Sequence, residues 1–234
     1  MNNTTIQLKI KQRLNKLASN DYDNIECWQV VEAFNKGQVD WCRRNLHGLN
    51  VVKEGDEQSK RRIDDLNILL LDLPVNITDR QTYWETDILP ADYFEWKKIS
   101  VYATNDCCKD PRLMVIYQAE DGNVPILLRD ENKKPSFEWG ETFCTLKSNK
   151  VQIYTNDEFN IVDPILTYYR QPRRIQILNC VDPYTTLVST VDVECEFKDD
   201  VVELFIDEAA KILAGDLEAM NQFQRNSQSV EGNN

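Results

Sequence analysis

The sequence predicts an α+β protein in which helices at the two chain ends form one helical unit, with an antiparallel β-sandwich or small β-barrel domain inserted between them. Two observations predict this architecture. Apolar residues recur at helical spacing near both termini, and short apolar runs alternate with turn residues in between. We expect the helical unit over residues 1–50 and 199–234, the β domain over 66–195, and a loop or arm over 51–65. At 234 residues, the chain is long enough to bury a substantial core.

Two helices are predicted at the N-terminal end. Apolar residues at spacings of four, four and three predict an amphipathic helix over residues 4–19. Asp23, with Glu26 three residues later, resembles a capping box and predicts the start of a second helix. That helix is weakened in its middle by Gly37 and is expected to end at Gly48, which suits a left-handed cap. The stripe of the first helix consists of Ile6, Ile10, Leu14 and Leu17.

The remaining elements follow from the same patterns. An apolar stripe predicts a C-terminal helix over residues 199–224, which begins with Asp199 and Asp200 at the positive end of its dipole and is open to a kink at Gly215. Seven short runs, each followed by turn residues, predict the β strands. These runs cover residues 66–73, 99–104, 113–120, 125–130, 142–147, 151–155 and 164–170.

Motifs for metal, cofactor or catalytic chemistry are missing from the sequence. The seven cysteines contain no CxxC pair and sit among apolar neighbours, so we expect reduced, buried thiols and no metal site. Glycine-rich phosphate loops are absent, and His47 is the only histidine, next to Arg43 and Arg44. We therefore expect no cofactor, no catalytic residues and no enzymatic activity. No apolar run approaches 18 residues and no secretory signal is visible, so we expect no membrane association.

The charge is distributed unevenly. The chain carries a net charge of −12, which argues against sequence-nonspecific binding to DNA phosphates. Residues 1–50 contain seven basic and five acidic side chains, whereas residues 182–234 contain three and twelve. The two ends are therefore electrostatically complementary.

Two segments carry candidate contact residues. Arg170, Arg173 and Arg174 surround Pro172 at the end of a predicted strand, where they suit either bidentate pairing with carboxylates of the same chain or a subunit contact. Aromatic residues of the segment 90–104 suit a core or an interface. These aromatic residues are Tyr93, Phe94 and Trp96.

Three segments, in their order along the chain, resemble structural proteins of tailed phages. They are "LPADYFEWKKISVYA" over residues 89–103, "VQIYTNDEFNIVDPILTYYRQPRRI" over 151–175, and "CEFKDDVVELFIDEAAKILAGDLEAMNQFQRN" over 195–226. The resemblance is to the ring or head-to-tail connector (portal-tail adaptor) proteins of crAss-like, podovirus-type phages, and it covers about residues 80–226. The cysteine content is high for a virion protein, which is a departure from that family.

The resemblance implies a virion structural protein made in the host bacterial cytoplasm, a subunit of a ring, commonly dodecameric, that joins the capsid vertex to the tail. Its implied partners are further copies of itself, the portal protein, adjacent tail rings and genomic DNA that passes without specific binding. Alternatives are a non-viral β-sandwich binding module, another virion or tail component, and a small hydrolase using acidic residues. A polar tail over residues 225–234 is expected to become ordered on docking. We expect the subunit interface to include Lys9, Arg13, Lys16, Arg170, Arg173, Arg174, Asp207, Glu208, Asp216, Phe223 and Arg225.

Overall fold

The protein divides into two compact units. A computed structural model describes residues 1–15, 25–47, 64–216 and Gln228. Unit 1 comprises Met1–Ile68 and Pro172–Asn234, and unit 2 comprises Leu69–Gln171. Helices and strands are both present, so the α+β class is confirmed. The segment from residue 172 to 195 belongs to unit 1, although the sequence pattern placed it in the β domain.

The described part of unit 1 contains three long helices, α1 (Asn3–Asn15), α2 (Cys27–His47) and α3 (Asp199–Asp216). The helix predicted over 4–19 is α1, and residues 16–19 lie outside the described part. Asp23 also lies outside it. At the start of α2, the Glu26 backbone N–H donates to Gln29 Oε1 at 3.0 Å, so Gln29 supplies a reciprocal capping bond. Residues 217–224 of the predicted C-terminal helix and the polar tail 225–234, apart from Gln228, are likewise not described.

The core of unit 1 lies where α2 packs on α3. Phe205 of α3 makes edge-to-face contacts with three aromatic rings, at centroid distances of 5.8 Å to Phe34, 5.3 Å to Trp41 and 5.1 Å to Phe197. The two helices approach closely at Gly37, where an added Cβ would lie 3.2 Å from the Glu208 side chain. A glycine that weakens the helix in isolation therefore allows the tertiary contact. The apolar stripe of α1 is fully buried at Ile6, Ile10 and Leu14.

Unit 2 is built on one eight-stranded sheet in the order β1-β8-β4-β5-β6-β7-β3-β2. Its described strands form a single curled sheet, a half-barrel with β1 and β2 at its edges, and not the two separate sheets of a sandwich. The pair β5–β6 is parallel, with Val115 opposite Glu141, so the sheet is not wholly antiparallel. The strands are β1 (Leu70–Pro74), β2 (Ile77–Asp79), β3 (Tyr83–Thr86), β4 (Tyr93–Asn105), β5 (Cys108–Gln118), β6 (Glu141–Lys147), β7 (Lys150–Tyr154) and β8 (Asn160–Arg170).

Both ends of the sheet contribute to one apolar core. Alternation along β4 points Ile99, Val101 and Ala103 into it, where residues of β6, β7 and β8 meet them. Tyr93 and Trp96 pack against this core, so the aromatic residues of β4 are at least partly structural. A strand was predicted over residues 125–130. The structure instead has a helical turn, Val124–Leu127, because Pro125 suits the first turn of a helix and cannot donate to a sheet.

No helix in the described part of the chain combines the length and apolar character needed to cross a bilayer.

Candidate subunit interface

The complementary charges of the chain ends pair inside one chain. Lys9 and Arg13 of α1 both contact Glu203 of α3, with Arg13 Nη2 2.6 Å from Glu203 Oε2. Arg13 Nη1 also lies 2.9 Å from Asp207 Oδ1. We expected these charges to meet between subunits or rings, and the structure satisfies them within unit 1. An interface role for them remains a prediction, with much of their charge already compensated.

Glu208 is paired in the same way but is buried. Its Oε2 lies 3.0 Å from Arg44 Nη2, and its side chain is only 9% exposed. Asp216, by contrast, is exposed at the end of α3. Three other residues predicted for the interface lie outside the described part of the chain: Lys16, Phe223 and Arg225.

The three arginines around Pro172 have different settings. Arg170 is half-buried at the end of β8, where its Nη1 donates to the Gln171 carbonyl at 3.2 Å. Arg173 and Arg174 are exposed on unit 1. Their backbone is fixed to α2, since Gln38 Nε2 donates to the Arg173 carbonyl at 3.0 Å. Neither exposed guanidinium forms an ion pair within the described residues, which leaves both available to a partner.

After this anchor the chain forms a hairpin beside α2, which we call the arm (residues 178–191), with the Tyr184 ring edge-on to Trp28 of α2 at a centroid distance of 6.1 Å. The Asp182 backbone N–H donates to the Leu187 carbonyl at 2.9 Å, and a β-bridge joins Val181 to Val188. The Asp182 carboxylate accepts hydrogen bonds from the Tyr184 backbone N–H and from the Thr185 hydroxyl. The hydrogen bond from the Tyr184 backbone, followed by the one from the Thr185 hydroxyl, lowers the pKa of Asp182. The arm tip therefore carries a negative charge.

A disulfide joins the base of the arm to α2. Cys27, the first residue of α2, is bonded to Cys180, and their Cα atoms are 5.8 Å apart. The expectation that all the cysteines are reduced is therefore wrong for this pair. It failed because partners 153 residues apart are brought together only by the tertiary fold. Of the described free cysteines, Cys107 is exposed, and three are buried: Cys42, Cys144 and Cys195.

The arm exposes an unusual amount of apolar surface. Six of its large apolar residues are about half exposed or more, up to 77% for Tyr184 and 69% for Leu187. Together they present on the order of 600 Å², at the upper end of the largest patch on a typical monomer. Between the arm and α2 runs a cleft of about 850 Å³, lined by Trp28, Val31 and Val39 of the helix. The six apolar residues are Leu178, Val181, Tyr184, Leu187, Val188 and Val191.

Unit 2 carries a second exposed apolar surface, which we call the sheet patch. Residues 113, 115 and 117 alternate along β5 with the core residue Met114 and the half-buried Ile116, so they point away from the sheet core. Tyr102 of β4 lies directly opposite Leu113. Trp139 is 76% exposed and precedes Gly140, whose carbonyl accepts from the Val115 N–H at 2.7 Å. The sheet patch consists of Tyr102, Leu113, Val115, Tyr117 and Trp139.

Sequence reasoning missed both surfaces, although each left a signal. The run Leu113–Tyr117 is apolar at consecutive positions, which is typical of a strand covered on both faces. The structure covers only one face at Leu113, Val115 and Tyr117. In the arm, the pair Asp182-Pro183 marks a turn between apolar residues. The predicted β domain, residues 66–195, included this turn, so no separate arm was predicted.

No protein-family model matches the chain, and a search of characterised proteins finds no relative. Within the described residues, no cluster of three or more His, Cys, Asp or Glu side chains is placed to hold a metal ion. The fold and its two exposed apolar surfaces therefore carry the functional argument.

Proposed function

We propose that the protein is a virion structural protein, a subunit of a dodecameric ring in the portal-tail connector of a crAss-like, podovirus-type phage. The observation that carries the proposal is the pair of exposed apolar surfaces, the arm on unit 1 and the sheet patch on unit 2. Surfaces of this size on a folded chain are typical of protein contact sites. In the proposed connector, the helices of both chain ends form the helical unit, and the sheet unit is inserted between them.

A closed ring requires two different contact surfaces on each subunit. In a closed ring every copy meets one neighbour through one face and the other neighbour through another face. The chain offers two apolar surfaces of different composition, which supports a ring more than a symmetric pair. The exposed Arg173 and Arg174 provide additional positive charge on unit 1 for carboxylates of the portal protein or an adjacent tail ring.

The acidic composition fits a position around a DNA channel. A net charge of −12 repels the phosphate backbone, so translocating DNA passes such a ring without binding to it. The purified chain is therefore expected to show no salt-dependent DNA binding in a filter or gel-shift assay. Tight binding that weakens steeply with salt would contradict this part of the proposal.

The test is to locate the chain in virions. Mass spectrometry of purified particles is expected to detect it among the virion proteins. Cryo-electron microscopy of the portal vertex is expected to show twelve copies around the channel axis. Absence from particles, or a position away from the portal-tail axis, would overturn the proposal. A chain found in the cell lysate but never in particles would favour the non-viral binding module.

A further inference from the structure

The two exposed apolar surfaces differ from each other, and each lacks a cover in the described structure. We infer that the arm of one copy packs on the sheet patch of the next copy, head to tail. This inference rests on the proposed ring and identifies the contact that would build it. A contact between unlike surfaces leaves one arm and one patch still available at the ends of each pair, so it propagates from copy to copy, and it closes as a ring when the rotation between neighbours returns to the first copy.

The arm is preorganised for such a contact. Its base is fixed to α2 by the disulfide between Cys27 and Cys180. Its strands are joined by the hydrogen bond from the Ser189 N–H to the Cys180 carbonyl at 2.8 Å, and its tip by the turn that Asp182 closes. Because little conformational freedom remains to be lost, more of the contact energy appears as affinity.

Size and composition agree between the two surfaces. Each exposes apolar side chains on the order of 600 Å², close to the roughly 800 Å² that each partner contributes to a stable interface. The sheet patch contains two tyrosines and a tryptophan, and the arm contains Tyr184 at its tip. Tyr and Trp are the residues most enriched at positions that dominate binding energy, so both surfaces have suitable anchors.

One charge pair is also available across this contact, beside a mixed set of charges in which Glu131 and Glu141 line the same side of the patch as Lys133. The arm tip carries the anionic Asp182. Beside the sheet patch, the Lys133 backbone carbonyl accepts from the Tyr117 hydroxyl at 3.4 Å. Its side chain is exposed and forms no ion pair with another described residue. A symmetric contact of arm with arm would bring two Asp182 carboxylates near each other and leave the patch open, whereas arm on patch places Asp182 towards Lys133.

The experiment measures self-association of the full chain by sedimentation velocity, up to a concentration of about 0.2 mM. One variant, Leu187→Asp, alters the arm, and a second, Val115→Asp, alters the patch. The matched controls Leu8→Asp and Ile88→Asp place the same charge at similarly exposed apolar positions outside both surfaces, with exposures of 63% and 69%. All four positions are exposed, and unchanged circular dichroism of each variant confirms that it folds.

We expect the wild-type chain and both controls to self-associate. Each surface variant should lose at least about thirtyfold in association constant, because charge replaces an apolar anchor. Mixed in equal amounts, the two surface variants should form a dimer and nothing larger, since the mixture retains one intact arm and one intact patch for each pair. That complementation is specific to a head-to-tail contact.

Four outcomes would overturn the inference. They are a wild-type chain that stays monomeric throughout, surface variants that associate as well as the controls, a defect confined to the arm variant, and a mixture of the two variants that stays monomeric. A defect confined to the arm variant would instead indicate a symmetric arm-to-arm pair. The proposed function is tested separately by detection of the chain in virions, so a ring built through other surfaces would remain recognisable as such.

Discussion

The buried ion pair of unit 1 gives a sharp prediction about stability. Glu208 of α3 is 9% exposed at its side chain, and its Oε2 lies 3.0 Å from Nη2 of Arg44 on α2. Replacing Arg44 with Met would keep most of the packing volume but leave a carboxylate buried opposite an apolar chain. Breaking a buried pair typically costs 3–5 kcal/mol. Lys211 remains 4.0 Å from Glu208 Oε1 and compensates part of the charge, so we expect a loss of about 3 kcal/mol.

The loss is measured by urea unfolding of the full chain, followed through its helical circular dichroism signal. The three long helices that the structure describes all belong to unit 1, so this signal reports on the unit that contains the pair. The matched control is Lys198→Met in the same unit, which removes a partner of Asp64 at a site where the lysine is 54% exposed and the carboxylate 67% exposed. We expect no measurable change there, because solvent screens exposed pairs.

A double variant separates the cost of an unpaired charge from the cost of altered packing. Arg44→Met combined with Glu208→Leu removes both charges, and we expect it to regain most of the lost stability. The reasoning would be refuted by a loss below about 1 kcal/mol in the single variant. It would be refuted equally by a double variant as unstable as the single one, since the defect would then lie in packing.

Four further predictions concern the same unit and the thiols. Gly37→Ala should lower the free energy of unfolding by about 1 kcal/mol, because overpacking against the Glu208 side chain at 3.2 Å outweighs the helix propensity gained; a raised urea midpoint would contradict this. Cys27→Ser should cost about 3 kcal/mol, as should reduction of the wild-type chain, and a melting temperature insensitive to reductant would exclude the disulfide. Burial raises the pKa of Cys195 to about 11, whereas the pKa of a cysteine thiol in an unfolded chain is about 8.5. The stability that the protonated thiol contributes is therefore complete below the unfolded-state pKa and is lost as the pH rises through the folded-state pKa. We expect the urea midpoint to fall between about pH 9 and 11. Alkylation of the native chain at neutral pH, followed by peptide mapping, should find Cys107 modified. Equal modification of the buried thiols would contradict the structure; these are Cys42, Cys144 and Cys195.

Local patterns predicted the helices well because their information is local. The spacing of Ile6, Ile10 and Leu14 required one buried face, and the structure buries all three completely. Gly37 is different. Its sequence context indicated only a weak point in a helix, whereas its role is to admit the Glu208 side chain of a helix far along the chain. The spacing of apolar residues within one helix does not indicate which distant side chain will pack against it.

Strand order and partner choice could not be obtained in the same way. The run of β5 predicted a strand, but the parallel pairing of Val115 with Glu141 depends on a connection that includes the helical turn Val124–Leu127. That turn was itself predicted as a strand, because a short apolar run does not distinguish the two states. The disulfide is a stronger case, since Cys27 and Cys180 meet only after the arm has folded back on α2.

The internal pairing of the chain ends changes where an interface should be sought. Complementary charge at the two ends was the main sequence argument for contacts between subunits, yet Arg13 already pairs with Glu203 and Asp207 inside unit 1. An exposed ion pair contributes little to association, and one that is already formed contributes less. Apolar area exposed on the arm and on the sheet patch has no such internal partner in the described structure. In the proposed ring, burial of that area is therefore the larger source of free energy for assembly, while the acidic surface left in solvent limits binding of DNA.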